Sequence, residues 1–214
     1  MARRALLRAV AGALLAAVPV LSAAQSSYEQ FLKAVNQGDV KTVEGFLNLG
    51  LDPDTADLEG NTILMIAARL GHADLVALLI NRKAGVNKRS PHGDTALMMA
   101  SLKGHLGAVQ LLATYGAEIN HPGWTPLHYA AFEGRAEVIK YLLEKGADKN
   151  ALAPNGYSPL MLAVRGNHLE AARALLYEDP DLMVNGPKGE TALALAKAGN
   201  FKDLEDLLRR AGAY

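Results

Sequence analysis

Few side chains in this 214-residue chain have the type and spacing to do chemistry. There is no cysteine, which removes thiol catalysis, thiolate metal sites, disulfides and a lipoprotein anchor. Ser158 stands in Gly156-Tyr157-Ser158-Pro159-Leu160, where the second glycine of a nucleophile elbow is missing. No phosphate loop, dinucleotide fingerprint or zinc-protease histidine pair occurs. His92 and His121 could together offer two imidazoles to a metal, but no third ligand stands out, and zinc sites take three or four protein ligands. The carboxylates are scattered without a paired constellation. The sequence therefore predicts no enzyme and no cofactor. It leaves side chains that recognise rather than react, above all Trp124, Tyr157 and Arg165, types that concentrate binding energy at interfaces.

Those residues are placed by a period. Gly60, Gly93, Gly123, Gly156 and Gly189 follow one another at 33, 30, 33 and 33 residues. Each opens a near-copy of one phrase: Thr62-Ile63-Leu64-Met65, Thr95-Ala96-Leu97-Met98, Thr125-Pro126-Leu127-His128, Ser158-Pro159-Leu160-Met161 and Thr191-Ala192-Leu193-Ala194. The hydroxyl of the first residue can cap a helix by accepting from orphan backbone N–H groups, and Pro126 and Pro159 follow where a missing N–H costs nothing. Eleven residues after each opening glycine the chain must turn back, at Gly71, Gly104, Gly134, Asn167 and Asn200. Glycine and then asparagine best tolerate the left-handed conformation such a turn needs. A second helix follows with an apolar face, such as Leu75, Val76, Leu78 and Leu79, or Val138, Ile139, Leu142 and Leu143. Extrapolated backward, the register puts Gly38 opposite Gly71, with Phe31, Leu32, Ala34 and Val35 on the first helix of an opening repeat.

The period and its phrase resemble the ankyrin repeat, whose Thr-Pro-Leu-His signature is complete at Thr125–His128; the likeness covers nearly all of the chain after residue 26. The resemblance implies an all-α solenoid of about six repeats, each a helix-turn-helix with a β-hairpin finger, at approximately 27–54, 55–87, 88–120, 121–150, 151–185 and 186–214. Terminal repeats must be polar outside, as Lys33, Lys41, Glu44, Lys202, Asp203, Glu205 and Asp206 allow. It also implies that His72, His105 and His128 bridge backbone groups of adjacent repeats, and that partners meet the fingers and the exposed ends of the first helices. Carried over position by position, that surface holds Arg69, Leu70, Leu102, Lys103, Trp124, Phe132, Tyr157 and Arg165.

Three departures break the period. The helix-ending glycine seen as Gly50, Gly116, Gly146 and Gly212 is Lys83 in the second repeat and Asp179 in the fifth. Residues 179–184 carry two extra positions, balanced by a shortening before Gly189. Only two residues separate Asn120 from Gly123, against five between Asn87 and Gly93, so one finger is cut by three. Trp124, the only tryptophan, stands beside that short finger. It either anchors a partner or fills the gap and packs on the next hairpin.

The first 24 residues read as a cleaved signal peptide: Arg3, Arg4 and Arg8, then an apolar run from Ala9 to Val18, then Pro19 and Ser22-Ala23-Ala24. Domain 25–214 would then be periplasmic and, after cleavage, without a membrane segment. Losing the leader takes Lys plus Arg from 22 to 19 against 22 Asp plus Glu, a mildly acidic balance that disfavours nucleic acid. The chain is similar to exported bacterial ankyrin proteins that look like accessory factors for periplasmic enzymes. The expected function is a monomeric interaction module gripping one protein partner; the alternative is an inhibitor or immunity protein that occludes a toxic enzyme.

Overall fold

The computed structural model describes residues 27–214. The expected leader, 1–24, lies outside them. Six helix pairs follow in order: α1 (27–37) with α2 (Val40–Asn48), α3 (Ile63–Leu70) with α4 (Ala73–Asn81), α5 (Ala96–Lys103) with α6 (Leu106–Thr114), α7 (Pro126–Phe132) with α8 (Ala136–Glu144), α9 (Pro159–Arg165) with α10 (Leu169–Leu176), and α11 (Ala192–Ala198) with α12 (Lys202–Arg210). First helices stack on first helices and second on second, so each pair leans on the next. Among the described residues the only sheet pairing is one antiparallel bridge, Ala56 with Thr62.

Each first helix begins where its hydroxyl residue says it should. Thr62, Thr95, Thr125, Ser158 and Thr191 are extended and accept from the backbone N–H three residues on. The inner helices are then nearly all apolar. Leu64, Ala67 and Ala68 are buried, as are their sisters Leu97, Ala100, Leu127, Ala130 and Ala131, because small residues let neighbouring helices approach closely. The second helices contribute Leu75, Leu79, Val109, Leu112, Ile139 and Leu142, and one continuous core runs from Phe31 to Leu208. Such a core forms only by stacking, since no single repeat can cover its own apolar face.

The turns between helices take the left-handed conformation at Gly38, Gly71, Gly104, Gly134, Asn167 and Asn200. The second helices end in the same conformation at Gly50, Lys83, Gly116, Gly146, Asp179 and Gly212, so the two irregular positions keep the path of their glycine sisters.

Polar bridges tie one repeat to the next. Asn87 and Asn120 each donate from Nδ2 to the helix-ending glycine carbonyl of the following repeat, Gly116 at 2.9 Å and Gly146 at 2.7 Å. Their Oδ1 atoms accept from Glu118 and Asp148 N–H, both at 2.9 Å. The ladder thins toward both ends. Asp54 has no amide to donate and accepts from Gly85 N–H at 2.7 Å while pairing with Lys88 at 2.9 Å. Asn150 keeps only the accepting half, from Asp181 N–H at 2.9 Å.

The fingers close in the same way four times. Asp57, Ser90, Ala153 and Gly186 donate to the carbonyls of Asn61, Asp94, Tyr157 and Glu190, and accept from Gly60, Gly93, Gly156 and Gly189. The fourth repeat's finger, three residues short, forms neither bond.

Candidate partner-binding surface

The fingers and the exposed ends of the first helices present the candidate residues. Phe132 is 53% exposed and Leu70 38%; Lys103 and Arg165 are exposed, while Arg69, Leu102, Trp124 and Tyr157 are half-buried. The backbone beneath this row is held from behind. His105 donates from Nε2 to the Arg69 carbonyl at 3.0 Å, Arg135 from Nε to the Leu102 carbonyl at 3.1 Å, and His168 from Nε2 to the Phe132 carbonyl at 3.0 Å. His72 does the same for Asn36 at 3.0 Å. The bridging expected of His72 and His105 is therefore present, and two residues the sequence reading passed over, Arg135 and His168, do the same work. Phe201 stands at the corresponding place in the last repeat and has no such hydrogen to give.

Two aromatic groups form on this surface. In the fifth repeat the Arg165 guanidinium lies 4.5 Å from the centre of the Tyr157 ring, and the Tyr157 hydroxyl donates to Glu190 at 2.9 Å. That bond raises the Tyr157 pKa above its ordinary value. The backbone N–H of Glu190 and the same tyrosine hydroxyl hold the Glu190 carboxyl below its own. In the fourth repeat Trp124 meets Tyr129 at 5.7 Å between ring centres and His128 edge-on at 5.8 Å, within the range where aromatic pairs attract. Tyr129 in turn donates its hydroxyl to Asp94 of the preceding finger. Burial, reinforced by that bond, pushes the Tyr129 hydroxyl well above the ordinary tyrosine range.

The Trp124 ring is half-buried, packs against the core and meets His128 and Tyr129 on α7 of its own repeat. Tyr129, absent from the sequence-derived set, joins Trp124 to Asp94 of the preceding finger. Its repeat sisters Met99 and Leu162 read as ordinary helix hydrophobes, and only its hydroxyl could have marked it. Leu70 stands at the end of α3, and Leu102 and Lys103 at the end of α5, in the two repeats before the Trp124 group.

His128 is buried within the same repeat. Its Nε2 donates to the Ala151 carbonyl at 3.0 Å, and its Nδ1 accepts from Thr125 N–H at 3.2 Å. Burial lowers its pKa to about 4, so it stays neutral at pH 7. His92 is exposed on its finger and His121 half-buried on the next. Among the described residues no three His, Cys, Asp or Glu side chains gather as a metal site would require.

Stacked helix pairs with projecting fingers, and side chains held over a rigid backbone, define a repeat-built interaction module. The chain belongs to the ankyrin repeat family. A profile described as "Ankyrin repeats (3 copies)" matches residues 31–122, and one described as "Ankyrin repeat" matches 122–153 and 155–185. The sixth helix pair extends the same fold beyond the matched residues.

Similar curated proteins include the ankyrin repeat and SAM domain-containing protein 6 of Mus musculus, 34% identical over 110 residues that are 50% of this chain and 9% of that protein. Protein phosphatase 1 regulatory subunit 27 of Mus musculus is 39% identical over 127 residues, 59% of this chain and 63% of that protein. The palmitoyltransferase AKR1 of Lachancea kluyveri is 32% identical over 122 residues, 54% of this chain and 17% of that protein. The chain thus matches under a tenth of the first of these relatives, and less than two thirds of each.

Proposed function

We propose that this chain is a periplasmic accessory factor that holds a single protein partner through its concave face. The observation that carries the reading is that exposed Phe132 and the Trp124–Tyr129 and Tyr157–Arg165 groups stand on two successive repeats whose backbone is pinned by His168 and Arg135. Trp, Tyr and Arg clustered on rigid elements are what an interface hot spot is made of. A regulatory role finds support in one relative, protein phosphatase 1 regulatory subunit 27. Export rests on the basic and apolar pattern of residues 1–24.

Two measurements test this. The intact mass of protein from a periplasmic fraction should start at Gln25; a mass retaining the leader refutes export with cleavage. A partner isolated from that fraction should gain activity or stability when the purified chain is added. Abolished activity would instead establish the inhibitor alternative.

A further inference from the structure

The two aromatic groups are built on the same positions of successive repeats and differ in whether the finger ring carries a cation. Trp124 and Tyr157 are sisters 33 residues apart, and so are Phe132 and Arg165. In the fifth repeat the finger ring carries a cation from its own chain, Arg165 over Tyr157. In the fourth repeat a phenyl ring replaces that cation, and among the described residues no Lys or Arg lies over Trp124. Tryptophan is the ring that attracts cations most strongly. A carboxylate also stands nearby: Asp94 accepts the Tyr129 hydroxyl at Oδ1, while its Oδ2 accepts no hydrogen bond among the described residues. His128, the other neighbour of Trp124, is neutral at pH 7 and does not compete.

Resting on the reading of the concave face as the binding surface, we propose that Trp124 and Tyr129, with the free oxygen of Asp94, receive an arginine side chain of the partner. A planar guanidinium can lie on the rings and still donate to the carboxylate at its edge, which a compact ammonium does less well. The fourth repeat thus offers to a partner the contact that the fifth makes within the chain. The acidic balance of residues 25–214, 19 Lys plus Arg against 22 Asp plus Glu, favours approach of a basic segment.

Because Trp124 is the only tryptophan, its indole N–H gives a single resolved signal in a 15N-labelled sample of the full chain. Titration with N-acetyl-arginine amide should shift that signal saturably, and the uncharged isostere N-acetyl-citrulline amide should not. Asp94→Asn should weaken the arginine response about threefold or more, the range expected for a partly exposed ion pair. Tyr129→Phe keeps the ring and releases Asp94, so its response should be retained or strengthened. The proposal is overturned by equal responses to the two amides, by no response to either, or by an Asp94→Asn variant that binds as the native chain does. It is also overturned if Tyr129→Phe loses as much as Asp94→Asn. Should partner capture depend on Trp124 while the arginine amide leaves the indole unmoved, this chemistry fails and the interaction reading survives. If capture ignores Trp124, the interaction reading is the one that fails.

Discussion

The imidazole of His105 occupies the space into which a side chain on Gly71 would project: a Cβ built there would sit 2.5 Å from His105 Nδ1. Glycine at 71 is therefore demanded twice, by a φ of 78° and by a ring whose other nitrogen bonds the Arg69 carbonyl. Gly116 has a φ of 85° but open space around it. The two demands can be separated by experiment. Gly116→Ala should cost about 1 kcal/mol, the strain of a left-handed alanine. Gly71→Ala should cost about 2–4 kcal/mol, because strain is joined by displacement of His105 and loss of its hydrogen bond. Equal costs in denaturant unfolding would show that the ring yields freely.

Lys83 offers the reverse test. It holds a φ of 69° with an exposed side chain, at a position where the sister glycines Gly50, Gly116 and Gly146 have no neighbour near a Cβ. Lys83→Gly should relieve about 1 kcal/mol of strain against roughly 0.4–1 kcal/mol of added unfolded-state entropy. The expected outcome is a small rise in the denaturation midpoint. A lower midpoint would mean that the lysine stem contributes packing that outweighs its strain.

His128 should make stability depend on pH. Its pKa is about 4 when folded because burial disfavours the charged ring, against 6.5 ordinarily. Between those values the unfolded chain binds more protons, so stability rises with pH there. Its contribution is complete above about pH 6.5 and fades as pH falls toward 4, a change of about 3 kcal/mol for the full shift. Denaturation at pH 7 and pH 4.5 should show a smaller difference for His128→Gln than for the native chain. An unchanged difference would place the pH sensitivity elsewhere.

Much of this fold is legible in the sequence because its signals are local and repeated. Hydroxyl caps, turn glycines and the left-handed ends at Lys83 and Asp179 recur at fixed offsets, so one repeat interprets another. Bridging His72 and His105 follow the same rule, each after a turn glycine, whereas Arg135 escapes it because a guanidinium fills the histidine's role with different chemistry, and His168 because it follows Asn167. The binding surface is less legible. Tyr129 and Asp94 are 35 residues apart and meet only through the stacking of successive repeats. Trp124 was readable as a candidate, but whether its ring lies on α7 or on the next hairpin depends on a side-chain rotation that no spacing encodes. Arg165, expected to face a partner, is already stacked on Tyr157.

The central claim is that the concave face, through Trp124, carries the interaction. The most direct measurement compares partner affinity for the native chain, for Trp124→Ala, and for Tyr177→Ala, a residue 88% exposed beside a groove of about 340 Å³ between α8 and α10. Loss of the Trp124 ring should weaken binding by about 2 kcal/mol or more, roughly thirtyfold. Stability of the free protein should fall by about 1–3 kcal/mol, because the half-buried ring also packs against the core, less than the roughly 3–5 kcal/mol of a full core truncation. Tyr177→Ala should bind as the native chain does. Unchanged affinity for a folded Trp124→Ala variant, or a loss confined to Tyr177→Ala, would contradict the account.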